Sequence, residues 1–200
     1  MLTVGLTGQS GAGKGEFAKI FTEREKVFCL DTDIVARRVV EKGSECLCEL
    51  CSFFGEDILK NDGSLDRQRL ASIAFANPEK HKALNTITHK YIMCEIESWL
   101  SCVRNSGAAV AVIDAPLLFE SGADRLCDIT VAVIAPYDTR LSRILIRDGI
   151  DEKAARTRLD ARPDDRFFTS RCDYVIENDG DLESFREKAT RVIDTILAQK

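Results

Sequence analysis

The sequence predicts an α/β fold, a three-layer, doubly wound architecture around a mostly parallel five-stranded sheet. Three observations predict it. The strand-like runs are almost unbroken in apolar character, as strands covered on both faces are. Helical patterns separate them, and a glycine-rich loop stands between the first strand and the first helix. With 200 residues, 44% hydrophobic and 30% charged, the chain is long enough for one domain with a sizeable core, so residues 1–200 are read as a single domain.

In order, residues 2–7 form a short β-branched run, followed by the glycine loop and a helical pattern over 14–24. Residues 27–30 are the second strand, closed by Asp31-Thr32-Asp33. Residues 108–114, 129–135 and 174–176 are the remaining three strands. Between the second and third, the pattern is helical: Asn77-Pro78 supplies an N-cap and a first-turn proline, and Leu84, Ile87, Tyr91, Ile96, Trp99 and Val103 recur at helical spacing. A crossover that long exceeds what a connection needs, which predicts a separate helical patch over 34–105. The closing helix, 182–198, puts Leu182, Phe185, Ala189, Val192 and Ile196 on one face.

The balance of 28 Lys and Arg against 33 Asp and Glu leaves a formal charge of -5, which argues against a surface devoted to nucleic acid. The apolar run near the centre, 108–113, is six residues, far short of a membrane span. Met1-Leu2-Thr3-Val4-Gly5 has no basic region ahead of its apolar stretch, so it reads as no targeting peptide and predicts a cytoplasmic protein. Eight cysteines are then expected as reduced thiols. Cys46, Cys48 and Cys51 resemble half a metal site, but no second Cys or His pair at ligand spacing completes it.

The first motif is Gly8-Gln9-Ser10-Gly11-Ala12-Gly13-Lys14-Gly15, which satisfies G-x-x-x-x-G-K between a buried strand and a helix. Its glycines let successive N–H groups turn inward as an anion nest while the helix aims its positive end at the same point, and Lys14 reaches the terminal phosphates. Ser10, Gly11, Ala12, Gly13, Lys14 and Gly15 are therefore expected to bind ATP or GTP. Gly15 departs from the pattern, which has a Ser or Thr on Mg²⁺ there. No Asn-Lys-x-Asp base reader is present, which argues against a GTPase.

The second motif, Asp31-Thr32-Asp33, lies past the carboxyl end of a strand, where doubly wound sheets bind ligands. In extended backbone the two carboxylates share a side, so one could take a proton from an attacking hydroxyl while the other orients metal or substrate. The alternative is an N-cap pair starting a helix at Ile34. Third, Arg140, Arg143 and Arg147 share a helix face, and residues 140–171 carry eight Arg and one Lys against six acids. Such a basic stretch suits phosphate clamping; some of these arginines are also expected to pair with Asp148, Asp151 or Asp160.

Together these residues strongly resemble the dephospho-CoA kinases. The resemblance rests on Leu6-Thr7-Gly8 into the loop, Asp31-Thr32-Asp33-Ile34-Val35-Ala36-Arg37, Phe54-Gly55 with Asp62-Gly63-Ser64-Leu65-Asp66-Arg67, Asp114-Ala115-Pro116-Leu117-Leu118-Phe119-Glu120, Arg140-Leu141-Ser142-Arg143 to Arg147-Asp148-Gly149, and Asp173-Tyr174-Val175-Ile176 before Asn178. It implies transfer of the ATP γ-phosphoryl to the ribose 3′-hydroxyl of dephospho-CoA. It also implies a nucleotide core, an acceptor-binding insertion over 34–105 and a lid over 140–166. Asp33 then handles the 3′-hydroxyl proton, with Lys14 and Arg140 as further catalytic groups; Arg147 and Asn178 contact ATP; Arg37, His89 and Leu118 line the acceptor site. Asp31 and Asp114 are the acids expected at Mg²⁺. His89 lacks the family's following proline, which is Lys90 here, and Arg162 stands where the family has glutamine. The implied partners are ATP and dephospho-CoA, with no nucleic acid or membrane, in a monomer or weak homo-oligomer. A different nucleoside or nucleotide kinase, or a non-catalytic ATP-binding module, would share the loop.

Overall fold

Five parallel-paired strands carry the architecture of the computed structural model, which describes residues 1–161 and 163–199. They are β1 (Leu2–Gly8), β2 (Val27–Asp31), β3 (Val110–Asp114), β4 (Ile129–Ile134) and β5 (Tyr174–Glu177), in the order β2-β3-β1-β4-β5. In register, Val4 sits beside Val112 on one side and Ile129 on the other, and β4 continues to β5 through Ala132 beside Val175. The central strands are buried along nearly their whole length, so alternation of apolar and polar residues is absent from them. Two acids pin their starts: Thr3 N–H donates to Asp128 Oδ2 at 2.7 Å, and Thr130 N–H to Asp173 Oδ2 at 2.8 Å.

The chain divides into two compact units, Met1–Leu30 with Cys102–Lys200, and Asp31–Ser101. In the first, α1 (Lys14–Thr22) and α10 (Leu182–Leu197) cover one side of the sheet, where Phe17, Phe21, Phe185, Ile193 and Ile196 pack on Val4, Leu6, Val112, Val131 and Val133. Phe17 and Phe21 meet edge to face at 5.8 Å, both fully buried, and truncating either would cost about 3–5 kcal/mol. The short helices α6 (Leu118–Ser121), α7 (Tyr137–Asp148), α8 (Glu152–Asp160) and α9 (Asp165–Thr169) complete this unit. α7 and α8 share their own small core of Leu141, Ile144, Ala155 and Leu159, while Phe168 of α9 packs on Ala132 and Ile134. Helix α1 stops two residues short of the expected end, because the chain must reverse before β2 and does so through Lys26, at a left-handed φ of 57°.

The second unit contains α2 (Thr32–Arg38), α3 (Glu45–Phe54), α4 (Arg67–Phe75) and most of α5 (Pro78–Asn105). Its buried apolar side chains include Val35, Leu47, Leu50, Ile58, Leu70, Ile87 and Ile96. Glu49 of α3 ties to α5 by accepting from Tyr91 Oη at 2.6 Å and Lys90 Nζ at 2.8 Å. A cavity of about 580 Å³ opens between these helices, lined by Ser52, Phe53, Ala83 and Ile87, with Glu49, Glu79 and Lys82 supplying charge. Among the described residues, no helix is long and apolar enough to cross a membrane.

Candidate active site

The glycine loop leaves the carboxyl end of β1, the strand at which the order of connection reverses, and enters α1. Its turn is closed by Ala12 N–H donating to Gln9 O at 3.1 Å. Two glycines are required by geometry. Gly11 holds φ +78°, with a hypothetical Cβ 2.8 Å from Arg140 O; Gly13, the N-cap of α1, holds φ +106° and would bring a Cβ within 2.5 Å of Asn178 Nδ2. The bend thus packs against two later parts of the chain, and in the first turn of α1 Glu16 N–H already donates to Gly13 O at 3.0 Å, leaving the N–H groups ahead of it at the helix start without intrahelical acceptors. That is the local construction of an anion-binding cup.

Lys14, at the start of α1, is largely buried and forms an ion pair with Asp114 at the end of β3, whose side chain is 10% exposed. Asn178, just past β5, is 6% exposed; its Nδ2 donates to Ala12 O at 2.7 Å and its Oδ1 accepts from Arg143 Nη2 at 3.2 Å. Arg143 also donates to Gly11 O at 3.3 Å and Ala12 O at 3.4 Å. Gln9 is 3% exposed, donates to Asp165 Oδ1 at 2.6 Å and accepts from Ala135 N–H at 3.4 Å. The cup is therefore braced by side chains from α7, α9 and the segment after β5.

The three stripe arginines occupy three different environments. Arg140 is 7% exposed and its Nε donates to Ala135 O at 2.9 Å; burial holds its guanidinium below the ordinary arginine value, with Asp165 acting in the opposite sense. Arg147, about one helical turn on from Arg143, is exposed and chelates Asp148 at 2.7 and 3.0 Å. Asp148 is pulled below the usual carboxylate range, first by that hydrogen bond, and it also pairs with Arg158. Arg143, which the stripe contained without any assigned role, is the one on the loop. Gln9 had no sequence signal, since a loop glutamine normally points to water.

In the second unit, only Asp31 of the acidic pair is extended. It is the N-cap of α2 and accepts from Asp33 N–H at 2.8 Å, while Thr32 and Asp33 already belong to the helix. The expectation of two carboxylates side by side in extended backbone is corrected: capping starts the helix two residues before Ile34. Asp33 is exposed in the first turn; Arg37, also exposed, accepts at its carbonyl from Arg67 Nη2 at 3.3 Å. His89 is half-buried on α5, which runs on unbroken through Lys90. Leu118 is fully buried, its Cδ2 2.8 Å from where a Gly5 Cβ would stand, so it meets protein on every side; Leu117 beside it is exposed. Ser10 is half-buried in the loop, and Arg162 lies outside the described residues. Among the described residues, no group of three or more His, Cys, Asp and Glu is placed to hold a metal, and Cys46 is buried while Cys48 is exposed.

A parallel sheet of this order, with a braced glycine loop and lysine at its central strand, defines a P-loop kinase, an ATP-dependent phosphotransferase fold. Solved structures agree: the chain superposes on a Thermus thermophilus protein with a TM-score of 0.82 at 30% identity, covering 99% of this chain and 97% of that one. It matches dephospho-CoA kinase from Campylobacter jejuni with a TM-score of 0.73 at 27% identity, covering 98% of each. A more distant likeness in fold alone is the shikimate kinase of Acinetobacter baumannii, with a TM-score of 0.54 at 18% identity over 100% of this chain and 95% of that one. The family model described as dephospho-CoA kinase matches residues 2–184, and this chain belongs to that family. A dephospho-CoA kinase of Corynebacterium glutamicum is 39% identical over 199 residues, covering 100% of this chain and 99% of its own length.

Proposed function

We propose that this chain transfers the γ-phosphoryl group of ATP to the ribose 3′-hydroxyl of dephospho-CoA, giving coenzyme A and ADP. The observation that carries the reading is the cup at β1, held by Asn178 and Arg143 and furnished with Lys14, in a chain that matches its family over residues 2–184. In this reading Ser10 to Gly15 and Lys14 hold the β and γ phosphates. In-line transfer moves the phosphoryl group directly between oxygens, so the chain's task is to position the reactants and offset charge. Asp33 orients the acceptor hydroxyl and takes its proton. Arg140 and Arg147 serve the phosphates as residues 140–166 close over them; Arg147 would then exchange Asp148 for phosphate. Asn178 borders the ATP site. Residues 34–105 take the acceptor, with Arg37 and His89 as contacts; the cavity between α3 and α5 has the mixed apolar and polar lining that suits a pantetheine arm.

The donors present fit a magnesium ion that arrives with its nucleotide, since Mg²⁺ is commonly held by one or two carboxylates together with substrate phosphates. Asp114, beside Lys14, and Asp31 are the acids proposed for it. Bound there, the ion would neutralise charge between the β and γ phosphates.

In a coupled assay, ADP release should depend on added dephospho-CoA, and Asp33→Asn should lower kcat by on the order of 10² while the affinity for ATP holds. An Asp33→Asn enzyme with nearly normal turnover contradicts the role given to that acid. Absence of acceptor-dependent ADP release contradicts the reaction.

A further inference from the structure

The pattern G-x-x-x-x-G-K leaves the residue after its first glycine open, and here it is Gln9. Its side chain turns into the protein, where a buried amide must find partners. It finds them far along the chain. Nε2 donates to Asp165 Oδ1 at 2.6 Å, in the first turn of α9, and to Pro163 O at 3.5 Å, while Oε1 accepts from Ala135 N–H at 3.4 Å, just past β4. Arg140 meets two of the same residues. Its Nε donates to Ala135 O at 2.9 Å, and burial disfavours the charge on its guanidinium while the Asp165 carboxylate, followed by Tyr137, supports it. Gln9 and Arg140 are therefore tied to each other through Ala135 and Asp165.

The main chain at residue 9 has anchors of its own: its N–H donates to Val133 O at 3.2 Å and its carbonyl accepts from Ala12 N–H at 3.1 Å. The shape of the loop thus does not depend on the Gln9 amide, which leaves the amide free to serve Asp165. A neutral donor suits that service, because it fixes one carboxylate oxygen without cancelling the charge that supports Arg140.

We infer that Gln9 is a positioning residue for phosphoryl transfer: by holding Asp165 with a neutral donor, it keeps the counter-charge of Arg140 in fixed register with the glycine loop, so that the guanidinium stays placed for the phosphates the loop holds. This deepens the function proposed above and rests on it. Gln9 touches no reactant and acts through Asp165 and Arg140.

Full-chain variants are compared by kcat in dephospho-CoA-dependent ADP release and by calorimetric affinity for ADP. Gln9→Glu sets two carboxylates against each other and should lower kcat about tenfold or more. Its affinity for ADP should stay within about threefold of wild type, because the main-chain bonds of the loop remain. Gln9→Glu combined with Asp165→Asn exchanges donor and acceptor across the same contact and keeps a negative charge there, so it should recover most of the lost kcat, which mere loss of packing would not allow. If thermal unfolding shows that Gln9→Glu does not fold, Gln9→Ala, Asp165→Ala and their double variant decide: the double should cost no more kcat than the worse single, and additive losses overturn the coupling. Wild-type kcat in Gln9→Glu, no recovery in the exchanged pair, or a loss of ADP affinity as large as the loss of kcat overturns the role given to Gln9. Wild-type protein that releases no ADP in response to dephospho-CoA instead overturns the reaction on which that role rests.

Discussion

Replacing Gly13 by alanine should damage both stability and nucleotide binding, while the same change at Gly15, two residues along, should not damage stability. At Gly13 the backbone holds φ +106°, and left-handed backbone costs an L-residue roughly 1–2 kcal/mol. The new Cβ would also lie 2.5 Å from Asn178 Nδ2, which is nearly buried and donates to Ala12 O at 2.7 Å. Moving that amide leaves a buried polar group unsatisfied, about 1–3 kcal/mol more. The sum, about 2–5 kcal/mol, corresponds in a chain of this size to a fall in Tm of about 5–20 °C. At Gly15 the Cβ enters open space in a helical residue, where alanine gains up to about 1 kcal/mol in helix propensity. Differential scanning calorimetry with a parallel ADP titration reads both. A Gly13→Ala protein melting within about a degree of wild type, or a Gly15→Ala protein losing as much as Gly13→Ala, would refute the packing argument.

Arg143→Ala should weaken ADP binding by about tenfold or more with little change in Tm, and Arg143→Lys should recover little, because one ammonium cannot span Gly11 O, Ala12 O and Asn178 Oδ1; full rescue by lysine speaks against it. Burial pushes the Cys127 thiol up to about 12 and those of Cys46 and Cys172 up to about 11, from 9.0. Their native pKa values are raised, so the stabilisation from keeping them protonated is complete below pH 9.0 and is lost as pH rises toward 11 and 12; unfolding free energy should decline over that window. At pH 8 a thiol reagent should modify the exposed Cys48, Cys94 and Cys102 and spare Cys46, Cys127 and Cys172 until denaturant is added. Rapid modification of native Cys127 is the contrary result.

The strands were legible because a doubly covered parallel strand is apolar at every position, and Val110–Asp114 and Ile129–Ile134 are buried throughout. The loop was legible because a phosphate cup needs glycines where Gly11 and Gly13 adopt positive φ. Asp31-Thr32-Asp33 was harder, since an acidic pair after a strand satisfies both a catalytic pattern and a helix cap, and hydrogen bonding to Asp33 N–H selects the cap for Asp31. The arginine stripe gave spacing without depth. Arg140 is drawn inward by Ala135 O, five residues back, and Arg147 outward by its neighbour Asp148, while Arg143 is held by the loop carbonyls, which only folding brings to it. Gln9 shows the same limit: its partners, Asp165 and Ala135, are joined to it only by folding.

The most direct test of the account is the identity of the product. Purified protein incubated with ATP, Mg²⁺ and dephospho-CoA should yield a compound heavier by one phosphoryl group, with phosphorus NMR placing the new monoester on the ribose 3′ oxygen and ADP formed in equal amount. Dephospho-CoA recovered unchanged beside intact ATP, or a phosphate found on any other oxygen, would contradict it.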